Sequence, residues 1–264
     1  MTEISAALVK ELRDLTGAGM MDCKRALVET GGDLEKARRL LREQGLAEAG
    51  KRAGKETTEG KVLAHAENGR GAIVAVGSES EPVSNNEEFL AFAQRLLERV
   101  DAEGVEAKSQ LESERLELIG RLGENIVVRG AERFEAENGE IVAAYVHPPA
   151  QKIGVLVKAK ATPDLARLVA MHIAASRPAF VSRDQVPEAD VDAERAVYEK
   201  LPDVASKPEN VRPRIVEGML EKRFFAENVL ADQRWVHDPD LTVGAALAEH
   251  DAEVRDFVVY NVGQ

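Results

Sequence analysis

The apolar residues of this chain change their spacing near residue 60, and that change constrains the fold more than any other feature. Before it, they recur at helical intervals, as at Leu8, Val9 and Leu12. After it, they form short runs and alternating patterns, as in residues 61–66 and 71–76. Helical spacing predicts amphipathic helices, and a period of two predicts strands. We therefore expect a helical N-terminal unit followed by a body of mixed helix and strand.

Three short helices are predicted for the N-terminal unit. Ser5 and Asp33 are the expected N-caps, because short polar side chains accept hydrogen bonds from the free N–H groups of a first helical turn. The second helix is expected over residues 21–30, and Gly45 is the expected C-cap of the third. The polar residues 48–60, rich in Lys, Gly and Thr, predict a linker that is partly helical at most.

The body repeats one order of elements. Asn68-Gly69 predicts a tight hairpin between its first two strands. The other elements are expected as helices over residues 87–100 and 113–122, a strand over 125–134, strands over 141–147 and 153–159, helices over 163–175 and 241–249, and a strand over 254–262. Strand, strand, helices, strand occurs twice, which predicts two related α+β halves with small antiparallel sheets.

A helical hairpin is inserted in the second half. Its helices are expected over residues 187–201 and 209–224, with a polar tip over residues 204–208. It is charged and poor in apolar residues, so we expect it to project from the body. Pro202 and Pro213 are expected to shorten or kink it, because proline removes a helical hydrogen bond.

The predicted fold class is thus α+β with three parts. The three-helix unit and linker take residues 1–54, the first half of the core takes 55–138, and the second half takes 139–264 with its insertion at 186–225.

Charge argues against a nucleic-acid partner. The formal net charge is −12, and phosphate recognition requires a basic surface. Residues 1–54 carry +1 and the remainder −13, which either suggests an N-terminal unit that docks on protein or is incidental.

Membrane and secretory features are not expected. No apolar run approaches the roughly 20 residues that cross a bilayer. Residues 1–5 lack the basic start and apolar core of a signal peptide. Cys23 is the single cysteine, so an intrachain disulfide cannot form, which fits a reducing cytoplasm. We expect a cytoplasmic protein.

No catalytic or metal-binding pattern is present in the sequence. Gly17 and Gly19 precede a helix but follow no strand, which argues against a dinucleotide site. The five histidines are scattered, and Cys23 alone cannot anchor zinc. We expect no catalytic residue, no metal and no cofactor, and hence no enzyme.

Several side chains favour binding or core roles. Met20 and Met21 lie at a glycine turn, where large apolar groups either bind a partner or, for one of them, enter the small helical core. Cys23 and His172 are expected in the core. His147, at a loop mouth, is expected to make a contact. Trp235 is equally suited to core and interface.

Residues 16–27, TGAGMMDCKRAL, resemble the N-terminal signature of the elongation factor Ts family, bacterial nucleotide-exchange factors for elongation factor Tu. Similar segments follow in order at residues 85–89, 123–126, 147, 153–157, 170–176, 215–218 and 257–263. The resemblance spans essentially the whole chain.

The resemblance implies a partner and a set of contacts. The N-terminal unit would be a UBA-like domain, and the insertion a coiled-coil arm. The partner would be elongation factor Tu, GDP-bound and nucleotide-free, with one copy or two of each in the complex. The implied partner-binding residues are Thr16, Gly17, Ala18, Gly19, Met20, Met21, Leu122, Gly123, His147, Val236 and His237.

Residues 77–84 match the loop that acts on the partner's magnesium and phosphate site. Read alone, they predict an exposed polar connection, with Asn85 or Asn86 as the next N-cap. The family sequence Glu-Thr-Asp-Phe-Val, whose phenylalanine helps to eject GDP, is replaced here by Glu79, Ser80, Glu81, Pro82 and Val83. A proline cannot fill an aromatic pocket, so weakened exchange is expected.

Three functions compete at this stage. The first is a translation elongation factor that exchanges nucleotide on elongation factor Tu. The second is a non-catalytic binder of the same GTPase: a chaperone, a sequestering factor or a specialised paralogue. The third treats residues 1–54 as a general adaptor and the remainder as a scaffold.

Overall fold

A computed structural model of the protein describes residues 4–137 and 139–263. The predicted domain limits at residues 1, 138 and 264, and most of the segment read for a signal peptide, lie outside the described residues.

The described chain alternates helical and strand segments. The helices are α1 (Ala6–Thr16), α2 (Met20–Glu29), α3 (Leu34–Arg52), α4 (Glu81–Ser84), α5 (Glu87–Glu103), α6 (Glu112–Leu122), α7 (Pro163–Ser176), α8 (Glu188–Glu199), α9 (Pro202–Ala205), α10 (Arg212–Met219), α11 (Ala226–Asn228) and α12 (Val243–Ala248). The strands are β1 (Glu59–Glu67), β2 (Arg70–Ser78), β3 (Ile126–Glu135), β4 (Ile141–Val146), β5 (Ile153–Lys160), β6 (Arg234–Trp235), β7 (Asp238–Thr242) and β8 (Glu253–Asn261). Among these helices, none combines the length and the apolar character that a membrane span requires.

Helices α1 to α3 form the N-terminal unit, called the head below. The Ser5 hydroxyl accepts the Leu8 N–H at 3.2 Å, and the Asp33 carboxylate accepts the Lys36 N–H at 3.0 Å. Both predicted N-caps are therefore confirmed. Cys23, as expected, is fully buried in the apolar cluster of the head, whose members are Val9, Leu12, Cys23, Ala26, Leu27 and Ala37.

Gly45 is not the C-cap of α3, so that prediction is wrong. The helix continues to Arg52, and the linker expected over residues 48–60 begins later. The reason is tertiary packing against α6. A Cβ on Gly120 would lie 2.6 Å from the Gly45 Cα, so the two backbones cross with no room for a side chain. Gly45 thus lies at a helix crossing so close that Gly120 can carry no side chain, and it ends no helix.

Two three-stranded antiparallel sheets form the body, in the orders β1-β2-β3 and β4-β5-β8. The predicted hairpin is confirmed: Asn68 and Gly69 join β1 to β2 with φ values of 54° and 76°. Each half follows the predicted order of strand, strand, helices and strand. The small third sheet of β6 and β7 was not expected from the sequence.

The sheets pack face to face between two layers of helix. An apolar layer joins the inner faces through Val62, Ile73, Ala75, Leu156 and Val262. The outer face of the first sheet is covered by α5 and α6, and that of the second by α7 and α12. Alternate residues of β2 supply the two faces, as the period of two predicts.

The tip of the insertion is not the polar stretch that was expected. Residues 204 and 205 of that stretch belong to α9, where Val204 is 2% exposed and packs with Tyr198, Val216 and Leu220. Pro202 and Pro213 lie in the first turns of α9 and α10, where a missing N–H costs nothing. The prolines therefore shorten the helices and do not kink them. A π-helical stretch, Leu220–Phe225, continues α10.

Candidate protein-docking site

The glycine turn of the head ends α1 and starts α2. Gly17 adopts a left-handed φ of 67°, and its N–H donates to the Arg13 carbonyl at 2.7 Å. A Cβ at this position would lie 2.7 Å from Arg121 Cδ. The Thr16 hydroxyl donates to the Leu12 carbonyl at 2.7 Å and accepts the Ala18 N–H at 3.3 Å. The turn is therefore rigid and is packed against α6.

Both methionines of the turn are exposed. Met20 is 49% exposed and Met21 is 65% exposed, so the alternative that places one of them in the head core is wrong. Leu15, on the preceding helix, is 57% exposed. Exposed methionines beside a rigid turn form an adaptable apolar contact surface.

The segment of residues 77–84 is not an open loop. Gly77 and Ser78 complete β2, and Ser80 precedes α4, a single helical turn in which Pro82 is the second residue. Ser78 and Ser84 are buried, whereas Glu81 and Pro82 are exposed. The expectation of an exposed connection thus holds only for its tip. Asn86, and not Asn85, is the N-cap of α5, and its side-chain oxygen accepts the Glu88 N–H at 2.8 Å.

Two carboxylates hold this segment against the residues before β3. Glu79 accepts the Asn125 N–H at 2.6 Å and the Arg52 guanidinium at 3.2 Å. Glu124 accepts the Ser80 N–H at 3.0 Å and the Ser80 hydroxyl at 2.5 Å. We call these two carboxylates and their partners the reciprocal clamp. The Asn125 N–H, and then Arg52, lower the pKa of the Glu79 carboxyl.

The end of α6 lies between the head turn and the clamp. Gly123 ends the helix with a φ of 70°, and its N–H donates to the Ile119 carbonyl at 2.8 Å. Arg121, which packs on Gly17, donates to Glu88 of α5 at 2.7 Å. Glu124 follows directly and reaches Ser80. The end of α6, with Leu122 and Gly123, therefore connects the head turn through Arg121 to Ser80 through Glu124.

His147 follows β4 in the second half, in a loop whose Ala150 and Gln151 carbonyls accept hydrogen bonds from Lys61 and Val62 of β1. Its side chain is exposed, and Nδ1 lies 2.8 Å from the Tyr145 hydroxyl. Its N–H donates to the Ile153 carbonyl at 2.9 Å, which anchors the backbone of the loop.

Val236 and His237 form a second exposed tip, between β6 and β7. Val236 is 46% exposed, and the His237 Nε2 lies 3.2 Å from the Leu168 carbonyl. Below them Trp235 is 6% exposed, with its ring 5.2 Å from that of His172 and 4.7 Å from that of His237. Trp235 thus belongs to the core, while its two neighbours face outward.

His172 is a satisfied core histidine, as predicted. It is fully buried, its Nε2 lies 2.9 Å from the Gln233 Oε1, and its Nδ1 accepts the Val236 N–H at 3.3 Å. An acceptor at Nδ1 places the hydrogen on Nε2, so the ring is neutral. Burial lowers the pKa of His172.

Sequence reasoning missed the residues that support both tips. Arg52 was assigned to a linker, and Gln233 carried no local signal. Glu124 and Asn125 lie in one of the similar segments but had no predicted role. Their functions depend on contacts with residues 27 or more positions away in the chain.

Across residues 4–137 and 139–263, no group of three or more His, Cys, Asp or Glu residues is placed to hold a metal ion. Burial raises the pKa of the Cys23 thiol, which disfavours its nucleophilic form.

Known proteins resemble the whole chain. A family model described as Elongation factor TS matches residues 79–264. The elongation factor Ts of Ectopseudomonas mendocina is 42% identical over all of this chain and 92% of its own length. Those of Cronobacter sakazakii and Alkalilimnicola ehrlichii are 40% and 42% identical, over 100% and 99% of this chain and 93% and 92% of their own lengths. The chain therefore belongs to the elongation factor Ts family.

Proposed function

We propose that this chain is a translation elongation factor that binds elongation factor Tu in its GDP-bound and nucleotide-free forms and promotes GDP release. Family membership supports the role in translation elongation. The observation that carries the exchange mechanism is the exposed tip of Glu81 and Pro82, whose base is fixed by hydrogen bonds to Glu79 and Glu124.

Exchange of this kind requires no bond chemistry. A protein that binds the nucleotide-free GTPase more tightly than the GDP-bound form must weaken GDP binding by the same factor. Each 1.4 kcal/mol of that coupling changes GDP affinity about tenfold. The chain is therefore a nucleotide-exchange factor and not an enzyme, and the magnesium ion and nucleotide belong to its partner.

The proposed contacts come from the head and from both halves of the core. Residues 16–21 grip the partner with their apolar side chains, and residues 80–83 disturb its magnesium and phosphate site. Leu122 and Gly123 extend the same surface. His147, Val236 and His237 bind at the second half of the core. Several separate contacts let docking at one place strain the partner at another.

The remaining parts of the proposal concern architecture and place. The head with its linker, residues 1–54, is a UBA-like domain, the core halves are residues 55–138 and 139–264, and the insertion is a coiled-coil arm. The protein acts in the cytoplasm, without direct contact to nucleic acid or membrane. Complexes contain one or two copies of each partner.

The test is the release rate of labelled GDP from elongation factor Tu, measured by stopped flow with and without the chain. We expect the chain to accelerate release. Serine at both Met20 and Met21 should raise the concentration of chain needed, because the apolar grip is lost. An unchanged release rate with the wild-type chain would refute the proposal, as would tight binding of GDP or magnesium to the isolated chain in calorimetry.

Pro82 favours one second candidate: a non-catalytic binder of elongation factor Tu. Proline fixes its own backbone angle and offers no aromatic ring, so the tip lacks the side chain that the family uses there. A pure binder would capture elongation factor Tu in a pull-down without accelerating GDP release. The two measurements made on the same sample separate the candidates.

A further inference from the structure

Glu79 and Glu124 lie in two different chain segments, and each accepts a hydrogen bond from the main chain of the other segment. Glu79, in the segment after β2, reaches the backbone N–H of Asn125. Glu124, in the segment before β3, reaches the backbone N–H of Ser80. Each segment thus supplies a carboxylate to the other's main chain. Hydrogen bonds to an ionised acceptor are roughly twice as strong as neutral ones, so the pair fixes the relative position of the two backbones.

The Ser80 hydroxyl takes part in the clamp and not in helix capping. Ser80 occupies the N-cap of α4, yet its side chain accepts no N–H from that turn. The hydroxyl donates to Glu124 instead, at 2.5 Å. Both donors of Ser80 therefore end on one carboxylate, one on each oxygen, which restrains the position and the orientation of the residue.

The buried base stiffens the rest of the turn. The Ser78 hydroxyl donates to the Ser80 carbonyl at 3.1 Å, and the Ser84 hydroxyl donates to the Glu81 carbonyl at 2.8 Å. Ser78 and Ser84 are both buried. Within residues 78–84, Glu81 and Pro82 are the residues with exposed side chains. Proline also fixes its own backbone φ angle.

The head is connected to the same framework. Arg52, the last residue of α3, donates to both oxygens of Glu79 at 3.2 and 3.3 Å. The buried Asn125 side chain donates to the Lys55 carbonyl at 2.8 Å. The clamp therefore joins three parts of the molecule: the end of the head, the tip segment and the start of β3.

We propose that Glu124 is a positioning residue for nucleotide exchange: by holding both donors of Ser80 it presents the Glu81–Pro82 tip in one fixed conformation. The inference rests on the proposed function and extends it. A tip that is already ordered loses little conformational entropy when it docks, so more of the binding energy is available to strain the partner. Rigidity thereby compensates for the contact area that Pro82 lacks.

The first experiment measures the clamp in the isolated full chain. Amide hydrogen exchange at Ser80 is compared among the wild type, Glu124→Ala, Glu124→Gln and a control, Glu106→Ala, which removes an exposed carboxylate of the same half. We expect Glu124→Ala to accelerate exchange at Ser80 about tenfold or more, because a charge-assisted hydrogen bond is lost. Glu124→Gln, which keeps an acceptor oxygen, should have a smaller effect. Equal rates in Glu124→Ala and Glu106→Ala would overturn the inference.

The second experiment measures GDP release from elongation factor Tu at saturating concentrations of the same variants. We expect Glu124→Ala to lower the maximal release rate about tenfold, because a displaced tip meets the partner in the wrong geometry. Glu124→Gln should restore part of the rate. Ser80→Ala combined with Glu124→Ala should be no slower than Glu124→Ala alone, because both changes remove the same interaction.

The outcomes separate the two proposals. If the wild-type chain does not accelerate GDP release, the proposed function fails, and the Ser80 exchange rates still decide whether the clamp exists. If the wild type accelerates release and both Glu124 variants match it, the positioning role is refuted. A residue that is merely structural would lower the melting temperature of Glu124→Ala and leave the maximal release rate of the folded protein unchanged.

Discussion

The two exposed tips of this molecule, Glu81–Pro82 and Val236–His237, stand on opposite kinds of support. The first is held by ionised carboxylates that cross between segments, with Arg52 as a counter-charge. The second rests on a neutral buried stack of Trp235 and His172, closed by Gln233. The first support is partly exposed, whereas the second is almost wholly buried.

The difference explains how each tip responds to its surroundings. Partly exposed charges are screened by salt. A buried neutral histidine is insensitive to salt, but protonation would turn its Nδ1 from acceptor to donor against the Val236 N–H. We therefore expect high salt to weaken the support of the first tip and low pH to weaken the support of the second.

Removal of the ring under the second tip should have the largest effect. We expect Trp235→Ala to lower the free energy of unfolding by about 3–5 kcal/mol, because a buried indole leaves a cavity. His237→Ala, which truncates an exposed neighbour of the same stack, should change it by less than about 1 kcal/mol. Urea unfolding followed by circular dichroism measures both. A loss below that of His237→Ala would mean that the stack does not support the tip.

A change that disturbs the packing of α3 of the head on α6 should have the next largest effect on stability. Gly120→Ala places a Cβ 2.6 Å from the Gly45 backbone, and we expect it to destabilise the protein by about 1–3 kcal/mol. Gly50→Ala is the matched control: it is also a helical glycine, with nothing within 4 Å of the added Cβ. That change should stabilise the protein by up to about 1 kcal/mol. Equal unfolding midpoints in urea would contradict the close crossing.

A third change tests whether the first tip limits exchange. Pro82→Phe restores the aromatic side chain on an intact clamp. We expect GDP release from elongation factor Tu to accelerate about tenfold, the equivalent of 1.4 kcal/mol of additional coupling. The measurement is stopped-flow release of labelled GDP, with Glu106→Ala as the unchanged control. No acceleration would show that the missing aromatic side chain does not limit the rate.

The smallest expected effect is a pH-dependent change in the free energy of unfolding, which arises from His172 under the second tip. Burial lowers the pKa of His172, so as pH falls below about 6.5 the unfolded chain takes up a proton before the folded one does. The stability that this residue contributes is therefore present above that pH and decreases below it. His172→Gln should remove this part of the pH dependence. Urea unfolding at pH 7.5 and pH 5.5 for both proteins measures it, with the single tryptophan, Trp235, as the fluorescent reporter.

An equal loss of stability in the wild type and His172→Gln over this range would contradict that explanation. The bond from Glu79 to the Asn125 N–H should not respond, because the pKa of the Glu79 carboxyl is lowered from its usual value and the carboxylate is ionised at both pH values. Amide exchange at Asn125, corrected for the intrinsic pH dependence, reports on that bond separately.

Most elements of the fold follow from short-range patterns. The caps Ser5 and Asp33, the Asn68-Gly69 hairpin and the end of α6 at Leu122 were all predicted, because each depends on residues close by in the chain. The exceptions have tertiary causes. Gly45 resembles a helix end in sequence, but it serves a crossing with α6. The supposed polar tip of the insertion folds into α9 over an apolar cluster of its own.

The candidate site divides in the same way. The exposed residues of the head turn and of the first tip were identified from the sequence, largely through family resemblance. The residues that hold them were not, since Arg52, Glu124 and Gln233 have no distinguishing local pattern. The residues of the exposed tips can be identified from the sequence, whereas the residues that support them can be identified only from their contacts in the structure.

The sequence by itself determined the α+β class, the helical head, the repeated order of the two halves and the family. The first three depend on the spacing of apolar residues and on capping and turn residues, all of which are local, whereas the family was recognised from motifs that resemble it in order along the chain. Only the tertiary structure decided that Glu124 meets Ser80 across 44 positions and that His172 meets Gln233 across 61. Such pairs form because the packing of sheets and helices brings distant backbones together, and no periodicity along the chain encodes which side chains then meet.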